Sequence, residues 1–485
     1  MSNSFQLIDR LAARFTRGVI RFRWLVILAA VLGAVAIGSG AQNLEFANNY
    51  RVFFSDENPE LLAFEELQAT YTKNDNFLFV LEPADGDAFS TDTLAAVETL
   101  TEAAWRIPFA IRVDSISNFQ HSYGIEDDLI VEDLFRGSAS MSADERARRG
   151  RIALAEPLLE NQLVTSAGSV TAVNVVLQYP EKSLTEVPEA VEFARELRQQ
   201  IETAHPNIDV SLTGVSMLNN AFSEVGVSDV GTLMPIMFGV ILLLTLLILR
   251  SAVATIATLG VIVLSTMVGM GWAGFMGIKL TPISASAPTI ILTLAIADSM
   301  HILIALHSAM RAGMSKADAI VDAVRLNFLP VGVTSVTTII GFLALNFSDS
   351  PPFWHLGNIT AVGIAAAWLF SITLLPALIS ILPYKVKQIS GDDRGERVMA
   401  RIAEFVISKP RRILISLGGA TLLLTAFIPT IDFNDQWTQY FDQRVEFRRD
   451  TDQALQHFGM YPIEYSVPAQ GSGGISDPEY RKSVV

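Results

Sequence analysis

Seven stretches of the chain are apolar over the length that a helix needs to cross a bilayer, about 20 residues. They are Trp24–Ala41, Thr232–Leu249, Ala252–Met276, Ala285–Ser308, Leu329–Phe347, Thr360–Leu382 and Ile413–Pro429. Between the first two lies a long segment, 42–230, with a different rhythm. Alternating, β-rich stretches (Asn76–Leu81, Arg112–Ser117, Ser169–Gln178, Ile208–Leu212) interleave there with helical patterns (Thr91–Trp105, Ala143–Asn161, Val187–Ala204). Asp92 and Ser142 stand where N-caps belong, and Pro206 closes the last helix. From Gly214 the pattern runs helically into the second span. The predicted fold is therefore a membrane all-α bundle of seven transmembrane helices. An α+β domain of two βαβ-like lobes is inserted between helices 1 and 2.

Composition agrees with a membrane protein: 50% of the 485 residues are hydrophobic and 18% charged. The formal net charge of −15 is unevenly spread. Between Gln42 and Asp229 stand about 32 acidic and about 12 basic residues, roughly −20 for that segment, which leaves the remainder mildly basic. An acidic soluble domain argues against nucleic acid as a partner, because phosphate binding needs clustered Lys and Arg. Cysteine is absent, which excludes disulfides and thiolate metal sites.

Basic residues set the orientation of the spans. Arg10, Arg14, Arg17, Arg21 and Arg23 precede the first, and Arg250 marks the turn between the second and third. Arg311, Lys316 and Arg325 follow the fourth. Lys385, Lys387, Arg394, Arg397, Arg401, Arg411 and Arg412 separate the sixth from the seventh. All fall on one side of a seven-span count with a cytoplasmic N-terminus, so 42–230 and 430–485 are expected in the periplasm of a bacterial inner-membrane protein. Ser39-Gly40-Ala41 would serve as a cleavage site were the first span a signal peptide, but the long basic arm and its recurrence favour a retained span.

That recurrence is an internal repeat. An offset of 387 (Arg14 to Arg401) aligns the N-terminus with the region after the sixth span. Val19-Ile20 meets Val406-Ile407, and Leu44-Glu45-Phe46 meets Ile431-Asp432-Phe433. Tyr50 meets Trp437, and Phe53-Phe54 meets Tyr440-Phe441. The segment Ile463–Val467 answers the strand Asn76–Leu81, and the second copy breaks off at Tyr480–Val485. The expected organisation is an N-terminal arm and first span (1–41), the acidic domain (42–230), spans two to six (231–384) and a cytoplasmic linker (385–412). A seventh span (413–429) and the opening of a second periplasmic domain (430–485) follow. A missing second half, or a homo-oligomer, is the expected partner.

Candidate chemistry lies inside the membrane. At about 1.5 Å per residue, Asp298 falls roughly 26 Å from Thr281 and roughly 20 Å from Arg311, near mid-bilayer. A carboxylate there costs about 2.5–3.5 kcal/mol on insertion scales, so it must face protein or trapped water. Intramembrane carboxyls that take and release protons are what proton coupling requires. His301, one helical turn on, shares the face of Asp298 and can donate to it or relay from it. Thr334, Ser335, Thr337 and Thr338 form a hydroxyl cluster in the fifth span that can hydrogen-bond to the pair. The bland alternative is that these groups only glue helices together. Elsewhere no Gly-x-Ser-x-Gly, His-Glu-x-x-His or phosphate loop occurs, so no enzyme, cofactor or metal is expected. His121 and the run Glu126-Asp127-Asp128 read as a solvated face.

Several stretches together resemble the resistance–nodulation–division (RND) superfamily of exporters, in its MMPL-like branch with a sterol-sensing-domain-type core. They are Leu294–His301, Thr334–Pro352, Leu375-Pro376-Ala377 and Leu212–Asn220. The resemblance implies twelve spans in two repeats of one plus five, each first span followed by a periplasmic porter domain. It also implies proton-driven export of hydrophobic or amphiphilic molecules, lipids or drugs, with the coupling carboxylate at Asp298. Two positions depart from the family pattern: Leu294 replaces a frequent glycine, and Ser299 stands where Asp or Tyr is common, so His301 would take part of the relay. Two other readings stand beside export. One is a non-transporting lipid-binding module that acts with a partner; the other is an inactive truncated exporter.

Overall fold

A computed structural model describes residues 2–47, 49–71, 73, 75–180, 182–183, 185–384, 394–431, 436–459, 465–469, 471 and 473–484. Along the chain run α1 (Ser2–Arg21), α2 (Arg23–Gly38), α3 (Pro59–Thr70), α4 (Thr91–Ala104), α5 (Ala143–Ala155), α6 (Glu186–Ala204) and α7 (Val215–Leu249). They are followed by α8 (Ala252–Phe275), α9 (Ala287–Arg311), α10 (Lys316–Leu343), α11 (Pro351–Ile372), α12 (Leu374–Ile381), α13 (Arg394–Ser408), α14 (Pro410–Thr425) and α15 (Glu446–His457). Besides two strands of two residues each, the described residues form six longer strands: β1 (Asn76–Pro83), β2 (Ala110–Ser115), β3 (Gln120–Ile125), β4 (Asp128–Asp133), β5 (Thr171–Leu177) and β6 (Ile208–Thr213). The chain divides into a helical unit (1–45, 228–348, 352–436) and an α+β unit (46–227, 349–351, 437–485).

Among the described residues, seven helical segments are long and apolar enough to cross a membrane: Arg23–Asn43, Val215–Leu249, Ala252–Phe275, Ser284–Arg311, Lys316–Phe347, Pro351–Ile381 and Pro410–Thr430. These are the seven expected from hydropathy, with ends extended by helix that continues beyond the apolar run. Within the helical unit small residues set the closest approaches, since lipid gives apolar helices little reason to associate and van der Waals contact must do it. A Cβ on Gly271 would overlap the carbonyl oxygen of Ile37, and one on Gly274 would overlap that of Gly40, so α2 lies directly on α8. Gly363 leaves room for the Ile291 side chain, which brings α11 against α9. The core between them holds Leu292, Leu303, Leu306, Val261, Ile262 and Ala367. α1 packs on α10 through Phe15 against Phe328 (6.5 Å between rings) and through Asp9 to Arg325 (2.9 Å).

The α+β unit is built on one antiparallel sheet in the order β2-β5-β1-β6. Two βαβ segments, β1-α4-β2 and β5-α6-β6, interleave their strands rather than standing as the two lobes expected. Burying β1 from both sides explains it: Phe79 faces Val173 on one neighbour and Leu212 on the other. The sheet face so formed, with Phe77, Phe79 and Leu81, is covered by α4 (Leu94, Val97, Leu100) and α6 (Val191, Leu197, Ile201).

Local departures have local causes. The helix expected over 143–161 stops at Ala155, because Glu156 precedes a proline and adopts extended geometry. Ser90, not Asp92, caps α4 by accepting from the Thr93 amide; Asp92 sits in the first turn and bonds to His205 at 2.6 Å. Ser142 caps α5 as read from the sequence. Residues 120–133 form the β3–β4 hairpin, with Glu126 at φ 53° in its turn.

The repeat is written into the element boundaries. Adding 387 to α2 (Arg23–Gly38) gives α14 (Pro410–Thr425), and adding it to α3 (Pro59–Thr70) gives α15 (Glu446–His457). A short 3-10 turn at Tyr50–Phe53 likewise answers one at Trp437–Tyr440. Among residues named from the sequence, Lys385, Lys387, Asp432, Phe433, Ile463 and Val485 lie outside the described residues. Residues 437–485 belong to the same compact unit as 46–227. There α15 lies along β6, the edge strand that no other strand of the sheet covers.

Candidate functional site

Asp298 occupies the midpoint of the 25-residue α9 and is 5% exposed. It is buried because α9 presents Ile291, Leu292, Ala295, Ile302 and Leu303 on the same broad face, and the packing of those side chains carries the carboxyl inward. Its partner comes from α10. Ser335, 3% exposed, donates its hydroxyl to Asp298 Oδ2 at 3.2 Å and stands 2.8 Å from the Val331 carbonyl oxygen. A charge-capable group in a low-dielectric setting thus has one neutral hydrogen-bond donor and no cation in contact among the described residues. That pairing lets the carboxyl exist with or without its proton, since the serine hydroxyl can turn to donate or accept.

The remaining expected site residues are placed differently. Ser299 is fully buried, and its Oγ has no hydrogen-bond partner among the described residues. His301 lies on the exposed side of α9, in a stripe with Thr293, Ala297, Ile304 and Ser308. It does not share the buried face of Asp298, and no hydrogen bond joins the two among the described residues. Thr334 and Thr337 are exposed on α10 and Thr338 is half-buried. Their hydroxyls bond backward along their own helix: Thr334 to Pro330 O (2.9 Å), Thr337 to Val333 O (2.9 Å) and Thr338 to Thr334 O (2.7 Å). This is the usual refuge of a hydroxyl on an apolar helix. Of the four hydroxyls in the run, Ser335 alone is within hydrogen-bond distance of the carboxyl.

Two further features lie outside the expected site; His307, expected at the cytoplasmic interface, and Lys316 belong to the first of them. His307 Nδ1 stands 3.1 Å from the Tyr384 hydroxyl, and Lys316 Nζ donates to the carbonyls of Ser380 (3.1 Å) and Leu382 (2.7 Å), tying α9 and α10 to the end of α12. Thr360 and Ser371 on α11 are fully buried with hydroxyls that lack partners among the described residues. Hydropathy treats such residues as neutral, so only the packing reveals them. No group of three or more His, Cys, Asp or Glu capable of holding a metal ion occurs among the described residues.

Comparison with known proteins agrees with a transport fold. Residues 57–413 match the MMPL family. A membrane protein of Methanocaldococcus jannaschii is 24% identical over 392 residues, covering 76% of this chain and 94% of that protein. The mycolic acid-containing lipids exporter MmpL11 of Mycolicibacterium smegmatis is 22% identical over 309 residues, 59% of this chain. The transport protein MmpL10 of Mycobacterium leprae is 20% identical over 328 residues, 65% of this chain. The chain spans nearly the whole archaeal relative but 32% of the length of each of these two mycobacterial ones. With the family match covering most of its length and seven apolar helices to carry it, this multi-pass membrane protein belongs to the MMPL family.

Proposed function

We propose that the chain is part of a proton-driven exporter of hydrophobic or amphiphilic molecules, with Asp298 as the group that takes and releases the proton. The observation that carries this reading is the Asp298 carboxyl, buried at the midpoint of a membrane-spanning helix and bonded to Ser335. Holding a carboxyl inside the membrane costs stability, and among the described residues Asp298 has no ion-pair partner in contact, only the Ser335 hydroxyl. In this reading a proton arriving from the periplasm neutralises Asp298 and Ser335 follows by reorienting its hydroxyl. The change in charge then alters how α9 and α10 pack, and the movement of the spans drives the inserted periplasmic domain. The N-terminus is cytoplasmic on this account, because every basic cluster then falls on the inner side.

His301, Thr334 and Thr337 fit the same reading at one remove. The His301 imidazole on the exposed face of α9 is costly against lipid, which favours a second helical bundle across it and across the neighbouring threonines of α10. There they would hand the proton on, with Ser299 and Thr338 as neighbouring hydroxyls. The one relative whose name states a cargo, the mycolic acid-containing lipids exporter, supports a lipid or lipid-like cargo.

The test is export by cells carrying the chain in its native membrane. Asp298→Asn is expected to abolish proton-coupled efflux while leaving membrane insertion and yield unchanged. Full efflux from that variant would end the assignment.

A further inference from the structure

α1 (Ser2–Arg21) joins the first span through Phe22, since α2 starts at Arg23. Each residue turns a helix by about 100°, which divides α1 into three sectors along its length. Ala12, Thr16 and Val19 are buried on one side. Flanking them, Phe15 against Phe328 and Asp9 bonded to Arg325 at 2.9 Å tie the helix to α10. On the opposite side Arg10, Arg14, Arg17 and Arg21 line up as one exposed ridge. Between the ridge and the buried side run Leu7, Leu11 and Phe15, with Phe22 just past the end, all 42–56% exposed.

Neither outer sector is satisfied by the chain itself. Like charges one turn apart on a helix repel. The one acid of α1, Asp9, is taken by Arg325. Among the described residues no carboxylate pairs with the four arginines of the ridge. Water suits the arginines but not the apolar stripe beside them, whereas lipid tails suit the stripe but not the arginines. The headgroup region of a bilayer suits both, with the stripe toward the acyl chains and the ridge level with the phosphates. Guanidinium groups bind phosphate oxygens through paired N–H donors, so arginine fits a phosphodiester well. The arrangement also recurs before the seventh span. There α13 has Arg397 and Arg401 in the places of Arg10 and Arg14, and exposed Val398 and Ile402 in those of Leu11 and Phe15. Glu404 and Ser408 replace Arg17 and Arg21, so α13 keeps half of the ridge.

We propose that α1 is a binding site for acidic phospholipids. The ridge of Arg10, Arg14, Arg17 and Arg21 holds their phosphodiester headgroups while Leu7, Leu11, Phe15 and Phe22 lie among their chains. The occupant is the bilayer surface and not a partner protein, because the stripe leads through Phe22 into Trp24, Leu25 and Leu28, which are exposed on the membrane span itself. This inference rests on the faces of α1 and not on Asp298, so it stands or falls apart from the transport reading.

The chain has no cysteine, so a single labelled one can be read in the full-length protein. Leu11→Cys carrying a bimane is placed in nanodiscs of equal parts phosphatidylcholine and phosphatidylglycerol. Brominated chains are put on one lipid or on the other, to show which lies beside the label. Brominated phosphatidylglycerol is expected to quench the label at least twofold more than brominated phosphatidylcholine. Arg14→Gln with Arg17→Gln is expected to bring the quenching by phosphatidylglycerol down to that by phosphatidylcholine or below. A bimane at Ile340→Cys, exposed on α10, is expected to show no preference and no change in that variant, which would show the bundle still folded. Added chloride is expected to weaken the preference by screening, and inorganic phosphate at equal ionic strength to weaken it no further, which separates lipid headgroups from free phosphate. Four results would each overturn the proposal: equal quenching by the two lipids with the ridge intact, quenching by neither, a preference that survives Arg14→Gln with Arg17→Gln, or a preference abolished by phosphate but not by chloride.

Discussion

The Asp298 carboxyl and the Ser335 hydroxyl, 3.2 Å apart, are the groups proposed to carry the proton. A hydrogen bond to a group that becomes charged contributes about 1.5–3 kcal/mol, so its loss changes an equilibrium or rate by roughly 10–100-fold. Ser335→Ala is therefore expected to lower proton-coupled efflux by about that factor. Thr334→Ala, which removes a hydroxyl bonded to its own helix and out of reach of Asp298, is expected to lower it by less, about threefold at most. Efflux rates of the two variants at matched membrane levels decide this. The hydroxyl run from Thr334 to Thr338 was visible in the sequence, but the choice among its members was not. Spacing along one helix fixes only relative angles. Which angle faces Asp298 depends on how α9 and α10 roll against each other, and that is set by distant contacts such as Ile291 in the gap left by Gly363. The same roll puts His301 on the exposed side, although it is one turn from Asp298.

Helices and strands were more legible than side-chain partners, because hydropathy and periodicity depend on many residues at once. All seven spans and all four strands of the main sheet fell where the pattern put them, to within a few residues except where the helix ran on past its apolar core. The hairpin at 120–133 escaped because its apolar run Leu129–Val131 is short and exposed and it turns at Glu126 rather than at a glycine. The interleaving of the two βαβ segments also escaped, since strand order is decided by which neighbours bury β1. Two expectations belong to this level. Gly271→Leu would force α2 away from α8, an overpacking cost of about 1–3 kcal/mol. In this cysteine-free chain, disulfide formation between cysteines introduced on α2 and α8 is expected to fall at least severalfold in that variant. Arg198→Ala would leave the buried Asp450 and Glu446 short of a charged donor and weaken the seating of α15 by about 1.5–3 kcal/mol. Amide exchange over 446–457 is then expected to accelerate at least tenfold while that of β1 and β5 is unchanged.

For the molecule as a whole, the offset of 387 is the most consequential pattern. It was legible as a faint run of matches, and the shared bounds of α2 with α14 and of α3 with α15 turn it into a structural relation. The sequence could not reveal that the second copy's opening helix lies on the first copy's sheet, because that crossing depends on pairing across more than 200 residues, as between Asp450 and Leu212. The exposed faces of α9 and α10 mix apolar residues such as Ile304 and Ile340 with His301 and self-bonded threonines. Whether proton coupling runs through Asp298 is best measured as efflux of a lipophilic fluorescent probe from native cells, with and without a protonophore. Wild-type efflux is expected to collapse with the protonophore. Asp298→Asn is expected to match the collapsed rate and to be insensitive to further protonophore. Protonophore-sensitive efflux from Asp298→Asn at the wild-type rate would contradict the assignment.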